Sequence, residues 1–262
     1  GWVRQSTTSK TAVDAFVLRK KVTLMLLKRL KFLITNQSVK KYLAYSIGEI
    51  LLITVGIVLA LQVNNWNENR KQKQLEFKLL HELKENLKLD LEDIASNIRA
   101  NTKIVNAHQI VLKQLDENIP YHDSLEIHYA NLLRHTNFIS HVSAYENLKS
   151  LGFTLISNDS LRIMLSSLYS AKYKYIVDFE QNYADKFQLE QLYPNVLQRV
   201  RIVRFFREAY PFDPAALTRD TVFKEMVRTN EAFRAYILNY YIELEQEVRD
   251  FIVQIDQYLQ KD

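Results

Sequence analysis

Between Tyr42 and Val63 the chain reads YLAYSIGEILLITVGIVLALQV, 22 residues with a single formal charge at Glu49. At about 1.5 Å of rise per residue, a helix of this length crosses the ~30 Å hydrocarbon core of a bilayer. The core helix of a soluble protein seldom stays apolar for so long. A cleaved signal peptide fits worse, because the apolar run is too long and no small-x-small site precedes the polar NNWNEN stretch. Gln62, Asn64, Asn65 and Trp66 form a polar and aromatic exit at the level where Trp favours headgroups. The segment therefore reads as a transmembrane helix over residues 42–65. A basic tail (1–41) precedes it and a helical-bundle domain (66–262) follows.

Charge divides along the same line. Residues 1–63 hold ten Lys and Arg against Asp14 and Glu49, whereas residues 64–262 hold 25 basic and 28 acidic side chains. The net charge of +5 thus belongs to the tail, and nucleic acid is not an expected partner, since such binders carry their basic footprint on the folded domain. Lys28, Arg29, Lys31, Lys40 and Lys41 flank the span on one side; Arg70, Lys71, Lys73 and Lys78 mix with acids on the other. Short basic tails resist translocation while long domains cross largely regardless of charge. The expected topology is a single pass through a bacterial inner membrane, N-terminus cytoplasmic and bundle periplasmic. Met25, followed by LLKRLKFL, reads as a natural start, which makes residues 1–24 an expected extension.

Four glycines in 262 residues leave few positions for tight turns or phosphate-cradling loops. The absence of cysteine removes disulfides and thiolate metal sites. The rest of the chain reads as helix. Residues 67–117 carry an eleven-residue apolar period (Leu80 to Leu91; Leu83, Ile94, Val105), which suits a nearly straight helix ended by Pro120, with a kink or break expected along so long a rod. Short helices follow Asp123 and Ser143, the latter stopped by Gly152. Ser157, Asn158 and Asp159 offer N-cap oxygens for a helix running to about Leu192, before Pro194. The basic segment NVLQRVRIVRFFRE leads into a loop at Pro211 and Pro214, and a last amphipathic helix covers about 231–259. The fold expected is all-α, one membrane helix followed by an elongated antiparallel bundle.

The run YSIGEILLITVGIVLALQVNNWNENRK and the later stretch SAYENLKSLGFTLISNDSLRIMLSSLY resemble a Bacteroidota family of single-span membrane proteins of unknown function. That family has a short basic tail, a GEI…GI…ALQ…NNWNE span and a long charged helix. The resemblance covers about residues 28–170; it implies placement in a membrane and brings no activity with it.

Site candidates are few. Ser46, Glu49, Gly56 and Ala60 share one stripe of the span, with small-xxx-small spacing at Gly56 and Ala60. This is the expected association face, where protonated Glu49 bonds across to a partner helix or, alternatively, snorkels to the cytoplasmic headgroups. Arg199, Arg201, Arg204 and Arg207 lie among apolar residues and fit either anionic headgroups or a solvated helix face. Tyr169, Tyr173, Tyr175, Tyr183 and Tyr193 fit a ligand pocket or ordinary core. His122, His128, His135 and His141 crowd one region, but no HExxH or Glu-x-x-His pair occurs, nor a P-loop or nucleophile elbow. No catalytic, metal or cofactor residue is assigned. The leading expectation is a non-enzymatic membrane-anchored scaffold whose partners are the bilayer and either a second copy or another membrane protein. A ligand-sensing bundle and a metal-dependent enzyme are the alternatives.

Overall fold

The computed structural model describes residues 7–35 and 37–260. By its contacts the chain divides into two compact units, Gly1–Lys71 and Gln72–Asp262. The described part of the first is helical, comprising α1 (Thr7–Thr35) and the opening stretch of α2 (Gln37–Asp116). Side chains 42–75 are all exposed, and α2 is long and apolar enough to cross a membrane.

In the second unit, α2 runs from Gln72 to its end without the break expected for it. The usual causes of a kink are missing, because no Gly or Pro lies between residues 67 and 116. Past the helix end Asn118 takes a φ of 52°, a left-handed conformation asparagine tolerates, and Pro120 prevents continuation. A short 3₁₀ turn and α3 (Glu126–Asn131) lead through the irregular residues 136–142 to α4 (Ser143–Leu151). Gly152, at φ 99°, ends α4 as expected.

Asn158 caps α5 (Asp159–Ser167) by accepting the Leu161 amide at 3.1 Å. From there helix continues to residue 199, alternating α6 (Lys174–Phe179) and α7 (Tyr193–Arg199) with wide π turns at Leu168–Tyr173, Glu180–Asp185 and Gln188–Leu192. The buried positions explain the π turns. Ile176, Glu180, Ala184, Gln188, Leu192, Val196 and Val200 recur every fourth residue. In a pure α-helix a step of four overshoots one turn by about 40°, so only wider turns hold this row on one face. The stop expected at Pro194 does not occur. That proline sits in the first turn of α7, directly after a π turn.

The basic segment expected to be helix or loop is instead an antiparallel hairpin of β1 (Val200–Arg204) and β2 (Glu208–Pro211), paired Val200 to Pro211 and Ile202 to Ala209, with an irregularity between Ile202 and Arg204. It is the one sheet among the described residues, so the chain is all-α apart from this hairpin. After α8 (Pro214–Leu217), Asp220 caps α9 (Thr221–Leu259) by accepting the Phe223 amide at 3.0 Å. Helix α9 lies antiparallel to α2: Gln109 bonds Glu231 near one end and Lys84 pairs with Asp256 near the other. Two apolar clusters fill the bundle, one around Leu83, Leu87, Ile176, Ile237 and Leu244, the other around Val111, Leu115, Leu192, Val196 and Phe223. Each such side chain contributes about 1.5–3 kcal/mol through burial.

Candidate functional site

A band of buried polar residues lies in the stretches between these two clusters. From α2 come Asn97, Asn101 and His108; from the helical run 159–199 comes Gln188; from α9 come Asn230 and Arg234. Arg234 has no solvent exposure and donates through Nη2 to Asp185 (3.0 Å) and to Gln188 Oε1 (2.7 Å). His108 bonds the Ile104 carbonyl through Nδ1 and meets Asn230 Nδ2 at 2.9 Å through Nε2, which makes Nε2 the acceptor and the ring neutral. Burial, reinforced by the nearby Arg234 charge, pulls His108 down to about 4. Arg234 Nε and Nη1, Asn101 Oδ1 and Asn230 Oδ1 make no hydrogen bond among the described residues. Such buried groups cost about 1–3 kcal/mol each, so this band does not add net stability in proportion to its bonds.

Carboxylates next to the band hold down the irregular segment 136–142. Glu180 accepts the Phe138 amide at 2.9 Å and the Tyr241 hydroxyl. Asp93 accepts the Ile139 amide at 3.1 Å, and Asp90 accepts the His141 amide at 2.7 Å together with the Tyr173 hydroxyl at 2.9 Å. His141 Nδ1 also meets Asp90, at 3.0 Å, while the rest of its ring is partly exposed. Burial raises Asp90 and Asp93 above the usual carboxylate range and pushes Glu180 up to about 7, although the hydrogen bonds to each act the other way. The segment has no ladder partner, so side chains satisfy its backbone donors. Chemically, the arrangement is a clasp that holds this segment against the bundle.

The other histidines go separate ways. His122 Nδ1 accepts the Ser124 amide, His135 approaches Gln188 at 3.4 Å, and His128 is half-buried. Among the described residues no three His, Asp or Glu side chains converge as metal ligands. Tyr169 and Tyr173 are buried core residues, with Tyr169 stacked on Tyr145 at 4.5 Å. Tyr175 and Tyr183 are exposed and Tyr193 is half-buried.

In the span, Ser46, Glu49, Gly56 and Ala60 are all exposed, and a Cβ built on Gly56 meets nothing within 4 Å. The four arginines separate into two groups. Arg199 is tied to Asp220 and to Asn195, whereas Arg201, Arg204 and Arg207 stand on the hairpin with exposed side chains. The buried polar band itself went unread in the sequence. Its signal was present: Asn97, Asn101 and His108, with Asp90 beside the band, are spaced by seven, four and seven from Asp90 onward, which puts them all on the core stripe of α2.

A model described as a family of unknown function (DUF6090) matches residues 49–193 and overlaps both stretches that carried the resemblance. No curated protein and no solved structure matches the chain.

Proposed function

Because the chain belongs to the family of unknown function DUF6090, its role has to be read from its own residues, and we propose that it is a membrane-anchored helical interaction protein that associates through its span. The exposed run Tyr42–Val63 carries this reading. All of its side chains face outward, which water disfavours and lipid accepts. Open space at Gly56 lets a second span approach backbone to backbone. Ser46, Glu49 and Ala60 lie on the same stripe, and protonated Glu49 donates across it. The partner is a second copy of the chain or another membrane protein. Lys40 and Lys41 mark the cytoplasmic side of a bacterial inner membrane, and residues from 66 onward occupy the periplasmic side.

Alkaline extraction of membranes from cells making the full chain, followed by protease treatment with the outer membrane permeabilised, tests the reading. Retention in the membrane and digestion of the bundle are expected. Release by alkali removes the anchor; full protection until the inner membrane is lysed reverses the topology. A second reading, a ligand-sensing bundle, draws on a surface cavity of about 290 Å³ beside Tyr145 and Tyr169, rimmed by Glu146, Lys174 and Asp178. Ligand-dependent shifts in thermal unfolding separate it from the first.

A further inference from the structure

The turn joining β1 to β2 reads Arg204-Phe205-Phe206-Arg207 and closes with the Arg207 amide donating to the Arg204 carbonyl at 3.0 Å. Phe206 has a φ of 61° at the third position of this turn, where type II turns place glycine. An L side chain in that conformation costs about 1–2 kcal/mol. The turn therefore retains a strained aromatic residue where glycine would relax it. Both rings stand at the tip with centroids 6.0 Å apart, Phe205 60% exposed and Phe206 39%. Val203 and Phe212 add further exposed apolar surface along the hairpin and its flank.

Guanidinium groups border this apolar tip. Arg134 lies over the Phe206 ring at 5.4 Å and Arg201 over the Phe212 ring at 5.8 Å. Arg204 and Arg207 flank the two phenylalanines directly. Residues 200–211 contain a single acid, Glu208, which pairs with Arg204 at 2.6 Å. The surface thus combines protruding aromatic rings with an excess of cations, Arg201, Arg204 and Arg207 against Glu208. Anionic lipid answers both, since phosphates accept guanidinium donors and the boundary below them takes up phenyl rings. An acidic protein face answers the arginines but leaves the rings in water.

We propose that the β1–β2 hairpin is a lipid-docking wedge, separate from the span. Phe205 and Phe206 enter an anionic leaflet while Arg134, Arg201, Arg204 and Arg207 bind its phosphates. The assignment extends the membrane reading above but stands on the hairpin alone, and the two fail separately in one experiment. The full chain carrying Phe205→Trp is reconstituted into phosphatidylcholine vesicles, and a second population containing phosphatidylglycerol and brominated acyl chains is then added. Failure to float with the first vesicles removes the anchor and leaves the hairpin untouched. Quenching of the new tryptophan beyond that of the parent chain, whose own Trp2 and Trp66 lie outside the hairpin, is the expected result. Replacing Arg201, Arg204 and Arg207 together by Gln should weaken binding to the added vesicles by roughly tenfold or more. The proposal is overturned by the absence of extra quenching, by equal quenching from brominated vesicles lacking phosphatidylglycerol, or by unchanged binding of the Gln variant. Tighter binding of polyglutamate or a single-stranded oligonucleotide than of the anionic vesicles also overturns it, in favour of an acidic macromolecule.

Discussion

Arg234 and Asp185 form an ion pair at 3.0 Å in which the guanidinium is fully enclosed and the carboxylate side chain keeps 15% exposure. Removing one partner of such a pair is far worse than replacing it with apolar volume, because a buried charge or cavity is left behind. Arg234→Ala is expected to lower unfolding free energy by about 3–5 kcal/mol. Arg234→Met, which fills the space and deletes two unpaired donors, should cost less than half as much. Urea titration followed by circular dichroism compares the two; equal losses would show that the side chain acts through its charge and hydrogen bonds and not through the volume it fills.

Glu180 and His108 set opposite pH dependences. The folded value of Glu180 lies near 7, above its ordinary 4.5, so its contribution is fully present at low pH and is lost as pH rises through 7. That of His108 lies near 4, below 6.5, so its contribution is present above 6.5 and is lost as pH falls toward 4. Between about pH 4.5 and 6.5 the two offset each other, each amounting to roughly 3 kcal/mol overall. Asp185, Arg234 and Tyr241 surround Glu180 and are common to both variants below. On going from pH 8 to pH 5, Glu180→Gln should lose about 2–3 kcal/mol more stability than the parent chain, and His108→Gln should gain instead. Denaturation midpoints at both pH values give the answer. Parallel curves for all three proteins would refute the assignment.

Gly152 ends α4 at φ 99°, and a Cβ placed there meets nothing nearer than Thr154 Oγ1 at 3.8 Å. Steric clash is therefore absent and backbone strain is isolated. Gly152→Ala should destabilise the bundle by about 1–2 kcal/mol. A thermal midpoint unchanged from the parent would mean that the turn relaxes at no cost.

For the span, Gly56→Leu adds bulk where a second helix is proposed to approach, while Glu49→Leu removes one polar contact of about 0.6 kcal/mol. Energy transfer between labelled spans in a bilayer should fall more for Gly56→Leu than for Glu49→Leu. A monomeric parent span, or one indifferent to Gly56→Leu, leaves Glu49 as a carboxyl near the cytoplasmic headgroups.

What the sequence disclosed about this fold follows from where local chemistry decides. Gly152 and Asn158 act as punctuation because each supplies something that its neighbours lack, a left-handed φ in one case and a side-chain acceptor in the other. The hairpin stayed hidden for the converse reason. Its turn uses Phe206 at positive φ, with no Gly, Asn or Pro to mark it, and Arg199, Arg201, Arg204 and Arg207 looked like a basic helix face. The π turns were written in the four-residue spacing from Ile176 to Val200, a period that lies outside the α-helical template. Glu76 lies among the charged residues at the start of the bundle stretch of α2. It is in fact a buried acceptor for the Ser157 amide and the Tyr258 hydroxyl, residues 81 and 182 positions away. Partners so distant in the chain leave no local trace.

The segment 136–142 has a consequence for how the molecule breathes. Its amide protons at Phe138, Ile139 and His141 are shielded by carboxylates and not by a strand or helix. Their exchange with solvent deuterium therefore requires only that Glu180, Asp93 or Asp90 let go, not that a helix melt. These three amides should exchange as one cooperative group, faster than the core amides of α2 and α9, and mark the first part of the bundle to open.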